Sequence, residues 1–135
     1  MKKTILVLSL VLISILSYSQ TYFSSYKSEI GRYNERTDKW LFGNTTFTDI
    51  TIMVEKTFIQ VDDNAHSLYR IIERMEDVKE RDFVSWAWKT LDEKNRTCAV
   101  QFTHFYGTNT GTMMVIYDGT CIVYTLRKNN NLSPF

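Results

Sequence analysis

Hydrophobic and polar positions alternate along much of the chain after residue 49. Ile50, Ile52 and Val54 are separated by single residues of other types, and the same period of two resumes at Ile59 and Val61. Side chains two residues apart lie on one face of a β-strand. The pattern therefore predicts two consecutive strands, and the abundance of Thr, Val, Ile, Phe, Tyr and Trp favours the same structure.

The period of two continues in three segments between residues 83 and 127. The sequence Asp92-Glu93-Lys94-Asn95 is typical of a hairpin loop and separates the first two of them. Alternate residues that share a face are Val84, Trp86 and Trp88 in the first segment, and Cys98, Val100, Phe102, His104 and Tyr106 in the second. These segments predict an antiparallel β-domain.

The dipeptide Asp118-Gly119 predicts a two-residue hairpin turn, in which both positions take a positive φ. This turn places Tyr117 opposite Thr120, Val115 opposite Ile122, and Met113 opposite Tyr124. The other face of the hairpin then carries Met114, Ile116, Cys121 and Val123. Two apolar faces indicate that the hairpin is buried on both sides or that one face meets a partner.

The segment of residues 65–78 fits two structures. Ala65, Leu68, Ile71, Ile72, Met75 and Val78 have helical spacing, and Asn64 can cap such a helix. As a strand, the segment places Tyr69, Ile71 and Met75 on one face, although Glu73 interrupts the alternation. Periodicity alone favours a short helix here.

Several short motifs resemble a loose group of small exported β-rich proteins of Gram-negative bacteria. These motifs are Lys39-Trp40, Ile50-Thr51-Ile52, Leu68-Tyr69-Arg70-Ile71, Leu91-Asp92-Glu93-Lys94, Cys98-Ala99-Val100, Tyr117-Asp118-Gly119 and Tyr124. The resemblance carries no function. It implies a meander of about seven to nine strands with a strand at Tyr69, and we adopt a small antiparallel barrel or sandwich as the predicted fold.

The first nineteen residues have the three parts of a secretory signal peptide. Lys2 and Lys3 precede an apolar run that begins at Ile5, and small residues follow at Ser17 and Ser19. The run is about twelve residues long, whereas a membrane span needs about 20. We expect cleavage after Ser19 and a periplasmic or secreted protein without a membrane span.

The remaining chain of about 116 residues has the size of one domain. We predict a loose N-terminal segment at residues 20–28, one β-domain at residues 29–128, and a tail at residues 129–135. Loss of Lys2 and Lys3 from the 16 basic residues leaves 14 against 15 acidic ones. A nearly neutral chain has no strong attraction for nucleic acid, so we expect none as a partner.

Cys98 and Cys121 form a candidate disulfide, because an oxidising compartment favours such a bond. In a meander, however, the two cysteines lie on strands separated by a third strand. Two strand spacings are about 9.5 Å, and a disulfide requires Cα atoms within about 7 Å. Either both thiols are free and buried, or the strand order is not a simple meander.

Trp86 and Trp88 are the leading candidates for a ligand or partner surface, because two indoles on one strand face form an apolar platform with polar edges. The alternative is that they fill the core. Met114, Ile116 and Val123 extend the candidate surface on the last hairpin.

Known catalytic and metal-binding patterns are absent from the sequence. His66 and His104 stand alone, and no phosphate-binding loop or zinc spacing occurs. We therefore expect no catalytic residue, metal or cofactor, and a non-enzymatic binding or interaction module whose partner is an unknown protein or a small apolar ligand. The alternatives are a lipocalin-like carrier of a small apolar ligand and a hydrolase with a carboxylate pair.

Overall fold

The computed structural model describes residues 20–63, 66–108 and 110–127, which form nine β-strands. The predicted signal peptide and the predicted tail at residues 129–135 lie outside these residues. The strands are β1 (Thr21–Asn34), β2 (Lys39–Val54), β3 (Phe58–Asp62), β4 (Ser67–Arg74), β5 (Val78–Lys79), β6 (Phe83–Leu91), β7 (Thr97–Phe105), β8 (Thr110–Ile116) and β9 (Thr120–Leu126).

Eight of the strands close into an antiparallel barrel. Consecutive strands pair from β1 to β4 and from β6 to β9, β4 pairs with β6, and β9 returns to pair with β1. The two-residue strand β5 pairs with the first half of β6 and adds one short extra strand. The prediction of a small antiparallel barrel with seven to nine strands is confirmed.

The interior of the barrel is filled by the alternating apolar residues. Phe102 is almost fully buried, and its ring lies 5.1 Å from that of Phe23 and 5.9 Å from that of Trp88. The other core residues include Ile50, Ile52, Val54, Ile59, Val61, Tyr69, Cys98, Val100, Met113, Val115, Tyr124 and Leu126. Contacts between side chains from several strands thus span the barrel interior.

The last hairpin has the predicted register. Met113 pairs with Tyr124 and Val115 with Ile122, and the backbone N–H of Tyr117 donates to the carbonyl of Thr120 at 2.8 Å. The turn geometry differs from the prediction, because Gly119 has a φ of 78° and Asp118 does not have a positive φ. One glycine in the left-handed region therefore suffices to reverse the chain here.

The helix considered for residues 65–78 is wrong. Residues 67–74 form β4, which pairs with β3 and β6 and buries Tyr69 in the core. Leu68, Ile72 and Met75, which produced the helical spacing, are exposed. Pairing on both edges of β4 determines the structure, and tertiary context commonly overrides such a local pattern.

The loose segment predicted at residues 20–28 is also wrong, because these residues form most of β1. Phe23 and Ser25 face the interior and are buried. Between Ser25 and Lys27 the register shifts, so that Tyr26 is an extra residue relative to β9, while β2 has two residues opposite it. Such a β-bulge breaks the period of two, which hides the strand from a search for alternation.

The hairpin of β1 and β2 projects beyond the paired part of β3. β3 pairs with β2 only at residues 51–54, whereas β1 pairs with β2 along its whole length. Consequently, residues 39–49 of β2 have a strand partner on one side only within the described part of the chain. All residues from 41 to 49 are exposed.

Candidate functional site

The outer side of the first hairpin carries a set of aromatic side chains. Because Phe23 and Ser25 point into the barrel, Tyr22 points outward. Lys27 pairs with Phe47, and Gly31 pairs with Phe42, on the same outer side. We call the following six residues the aromatic face: Tyr22, Tyr26, Tyr33, Trp40, Phe42 and Phe47.

The aromatic face is accessible along most of the hairpin. Phe47 is 73% exposed, Tyr22 is 55% exposed and Phe42 is 49% exposed. The rings of Tyr33 and Trp40 contact each other edge to face with centroids 5.4 Å apart. Exposed aromatic residues gathered on one side of a hairpin mark interaction sites more often than scattered hydrophobic residues do.

Charged groups border the aromatic face and are paired within the chain. Lys27 Nζ lies 2.7 Å from Glu29 Oε1, and this hydrogen bond raises the pKa of the lysine. Arg127 forms an ion pair with Asp49, and its guanidinium carbon lies 5.6 Å from the ring centre of Tyr26. Each of these two ion pairs is neutral overall, and the Lys27–Glu29 pair lies on the same outer side of β1 as the aromatic residues.

The ring of Phe42 lies over Gly31 on the neighbouring strand. A Cβ atom on Gly31 would lie 2.8 Å from the Phe42 ring and 2.7 Å from Cys121 Sγ. The missing side chain of Gly31 therefore lets the ring lie over the sheet and cover Cys121, which is fully buried. Burial raises the pKa of the Cys121 thiol.

The two tryptophans singled out in the sequence lie inside the barrel. Trp88 is 4% exposed and packs edge to face on Phe102, while Trp86 is partly buried against the core. Both indoles follow the inward period of β6. They are therefore core side chains, and they do not form an external platform.

Met114, Ile116 and Val123 face outward on β8 and β9 and are half-buried. They lie on the other side of the barrel wall from Trp86 and Trp88, so the structure separates the two halves of the surface predicted from sequence. Ile116 also borders an outer groove of about 520 Å³, lined by residues that include Met75, Lys89 and Ala99.

Both cysteines are free and buried, and the candidate disulfide is not formed. Cys98 faces the core on β7, where its Sγ lies 3.1 Å from the hydroxyl of Thr90. Cys121 faces outward on β9 beneath Phe42, and β8 separates the two strands. The two thiols are kept apart because β8 lies between their strands and because Cys98 points inward whereas Cys121 points outward.

One end of the barrel holds a pocket of about 340 Å³. It lies where β4 begins and the loop of residues 92–96 joins β6 to β7, and its wall includes Tyr69, Tyr117 and Ile122. Burial raises the pKa of Tyr69 to about 12, so its hydroxyl stays protonated at neutral pH. The pocket therefore combines the apolar and tyrosine side chains of one wall with a charged rim formed by the loop of residues 92–96.

The carboxylate of Asp92 organises the rim of this pocket. Tyr117 Oη and Arg96 Nε donate to Asp92 Oδ2 at 2.9 and 2.8 Å, while the backbone N–H groups of Lys94 and Arg96 donate to Oδ1. Partial desolvation favours a higher pKa, but these hydrogen bonds outweigh it and lower the pKa of Asp92 to about 2. With four donors, Asp92 is suited to fixing the loop.

Two kinds of chemical site were expected to be absent or remained open, namely a metal site and a carboxylate pair. Within residues 20–63, 66–108 and 110–127, no group of three or more His, Cys, Asp or Glu side chains is placed to hold a metal ion. The hydrogen bond from His66 lowers the pKa of Asp62, opposite to the shift that a general acid needs. The described residues contain no helix that is long and apolar enough to span a membrane.

Comparisons with known proteins found no relatives. No protein-family model matches the chain, and no curated protein or solved structure shows significant similarity to it. The candidate sites therefore stand on their geometry alone.

The aromatic face was not predicted from the sequence, because the candidate surface was assigned to two tryptophans on one strand. A signal was present, because Tyr22, Tyr26, Tyr33, Trp40 and Phe47 lie close together in the chain. The bulges in β1 and β2 disturb the alternation that would have assigned them to one face.

Proposed function

We propose that the protein is an exported, non-enzymatic binding module that contacts a partner protein through the aromatic face. The supporting observation is the contrast between a barrel interior packed with side chains and a hairpin whose large aromatic residues are exposed. Tyr, Trp and Phe are the residue types enriched in protein interfaces.

The composition of the aromatic face favours a protein partner over nucleic acid. The flanking charges form the pairs Lys27–Glu29 and Arg127–Asp49, so the rim presents no basic stripe for phosphates. Burial of Tyr22 and Phe47 against a partner contributes apolar area. A partner with an exposed apolar surface fits this arrangement.

The proposal is tested by photo-crosslinking in the cells that export the protein. A photoreactive amino acid is placed at Tyr22 or Tyr33 on the aromatic face, and at Arg70 on the opposite outer wall as a matched exposed control. We expect one defined crosslinked partner from the two tyrosine positions and none from position 70. Equal crosslinking from all three positions, or none from any, contradicts the proposal.

A lipocalin-like carrier is the second candidate, because the barrel fold is compatible with a binder of that type. The specific observation in its favour is the end pocket lined by Tyr69, Tyr117 and Ile122, whose size lies within the range of small-molecule sites. The filled interior limits any such ligand to the end of the barrel.

The carrier hypothesis is tested by titration with N-phenyl-1-naphthylamine, an apolar fluorescent probe. Substitution I122W fills the end pocket and is expected to abolish binding, whereas the surface variant F47S leaves binding unchanged. Loss of binding in F47S with retention in I122W assigns the probe to the aromatic face and removes the carrier hypothesis.

A further inference from the structure

The inner side of the projecting hairpin continues the wall of the end pocket. Ile122 lines that pocket and pairs with Ile30 of β1. Paired residues of adjacent strands carry their side chains on the same side of the sheet, so Ile30 faces inward beside Ile122. The side chain of Ile30 is 42% exposed, because this part of the hairpin lies beyond the paired part of β3. An apolar chain that leaves the pocket along β1 therefore contacts Ile30 next.

A second hollow, of about 540 Å³, lies near the tip of the hairpin. We call it the arginine hollow, and it is lined by residues 32–36 and by Leu41. Arg32 pairs with Leu41 and follows Ile30 by two residues without a register shift. All three side chains therefore lie on the inner side, and Arg32 is roughly 7 Å from Ile30 along the strand. Ile30 thus lies between the end pocket and the arginine hollow.

The arginine hollow carries a net positive charge. Arg32 and Arg36 contribute two cations against the single carboxylate of Glu35. Both arginines are exposed, and the ion pairs among the described residues use other side chains. Guanidinium groups bind carboxylates and phosphates through paired N–H donors. The arginine hollow is therefore suited to the anionic group of a ligand.

The rim of the end pocket does not oppose such a ligand. The loop of residues 92–96 has two acidic and two basic side chains, so its net charge is zero. The wall formed by Tyr69, Tyr117 and Ile122 offers apolar contact area to a chain. The two hollows thus differ in chemistry, and the exposed aliphatic side chains of Ile30 and Leu41 connect them.

We propose that the protein binds a single-chain amphiphile, with the apolar chain in the end pocket and an anionic head group in the arginine hollow. The proposal rests on the carrier hypothesis, the second candidate above, and goes beyond it by naming the ligand class and the residues that select it. It does not depend on the protein partner proposed for the aromatic face. The chain of the ligand crosses Ile30, and its head group accepts hydrogen bonds from Arg32 and Arg36.

Isothermal titration calorimetry with decanoate and decanol at neutral pH tests the proposal, because these probes have equal chain length and differ in charge. We expect the wild-type protein to bind decanoate about tenfold more tightly than decanol. R32Q removes one cation, so it is expected to weaken decanoate binding about fivefold and to leave decanol binding unchanged. R70Q changes an exposed arginine of β4 outside both hollows, and this matched control is expected to affect neither probe.

Further measurements locate the chain of the ligand. I122W fills the end pocket and is expected to abolish binding of both probes. I30S changes a partly exposed residue between the hollows and is expected to weaken both probes alike. Butanoate has the anionic group without the long chain, so no binding is expected at concentrations that saturate the protein with decanoate. Circular dichroism checks that each variant keeps its sheet.

Two results overturn the proposal, namely equal affinity for decanoate and decanol, or an R32Q protein that binds decanoate as tightly as R70Q does. If the wild-type protein binds N-phenyl-1-naphthylamine in the end pocket and gives either result, the carrier hypothesis stands and the anionic head group is excluded. A protein that binds neither the naphthylamine nor decanoate contradicts both.

Discussion

The two halves of β2 share a backbone conformation and similar residue types, but their environments are opposite. In the second half, Ile50, Ile52 and Val54 are buried in the barrel core. In the part before residue 50, Leu41, Phe42 and Phe47 are exposed. The difference follows from β3, which is five residues long and covers only residues 51–54 of its sixteen-residue neighbour.

This contrast teaches that strand formation and burial are decided separately. Alternation and β-propensity act within the strand and favour an extended backbone in both halves. Burial depends on how far the next strand and the opposite wall reach, which is a property of the whole barrel. An exposed half-strand with large apolar residues is then available for binding.

The largest expected effect comes from truncating one apolar residue in each half of the same strand. Ile52 is fully buried, so I52A is expected to lower the free energy of unfolding by about 2–5 kcal/mol. Leu41 is 60% exposed, so L41A is expected to change it by about 0.5 kcal/mol or less. Urea denaturation followed by tryptophan fluorescence measures both. Similar losses in the two variants would mean that the projecting hairpin is packed in solution.

A smaller effect is expected from adding a methyl group to either of two hairpin glycines. In G31A the new Cβ meets Cys121 Sγ and the Phe42 ring at less than 3 Å, so we expect a loss of about 1–3 kcal/mol in unfolding free energy. In G43A the Cβ has no atom within 4 Å and no left-handed φ opposes it. G43A is therefore the matched control, and a G31A protein as stable as G43A contradicts the close packing of Phe42.

The smallest expected effect concerns the acid dependence of stability that is contributed by two loops at the same end of the barrel. In the loop of residues 92–96 the carboxylate of Asp92 accepts the hydrogen bonds, whereas in the turn between β1 and β2 the neutral amide oxygen of Asn34 accepts one from the backbone N–H of Arg36. The pKa of Asp92 is about 2 in the folded protein and about 3.9 in an unfolded chain. Its contribution to stability is thus complete above about pH 4 and is lost as the pH falls towards 2.

The substitution D92N is expected to remove that part of the acid dependence, and N34A is expected to retain it. Urea midpoints at pH 7, 4 and 2.5 measure the difference for each variant and the wild type. If the D92N protein loses as much stability between pH 4 and pH 2.5 as the wild type does, the carboxylate does not hold the loop.

The sequence predicted the C-terminal part of the barrel well because local signals there agree. The period of two around Val100 and Val115 and the turn at Gly119 determine strands and register together, and the structure confirms both. The core position of Trp88 was the alternative weighed against an exposed platform, since alternation places a residue on a face without saying which face is buried.

The N-terminal hairpin could not be read in the same way. Bulges near Tyr26 and Asn44 break the alternation in this hairpin. In β4, outside the hairpin, the helical spacing of Leu68 and Ile72 comes from residues that are exposed. The free edge of β2 depends on the length of β3, which is fixed only when the barrel closes. Features that depend on closure of the barrel therefore cannot be predicted from the hydrophobic pattern of the sequence alone.

The position of Phe42 over Cys121 makes the first hairpin observable by simple thiol chemistry. Reagents such as iodoacetamide reach the sulfur only when the ring lifts from the sheet, since the thiol is fully buried beneath it. The alkylation rate of Cys121 therefore reports how often this hairpin opens, while Cys98 inside the barrel reports global unfolding. Alkylation of the two thiols in one protein thus measures opening of the first hairpin and unfolding of the core separately.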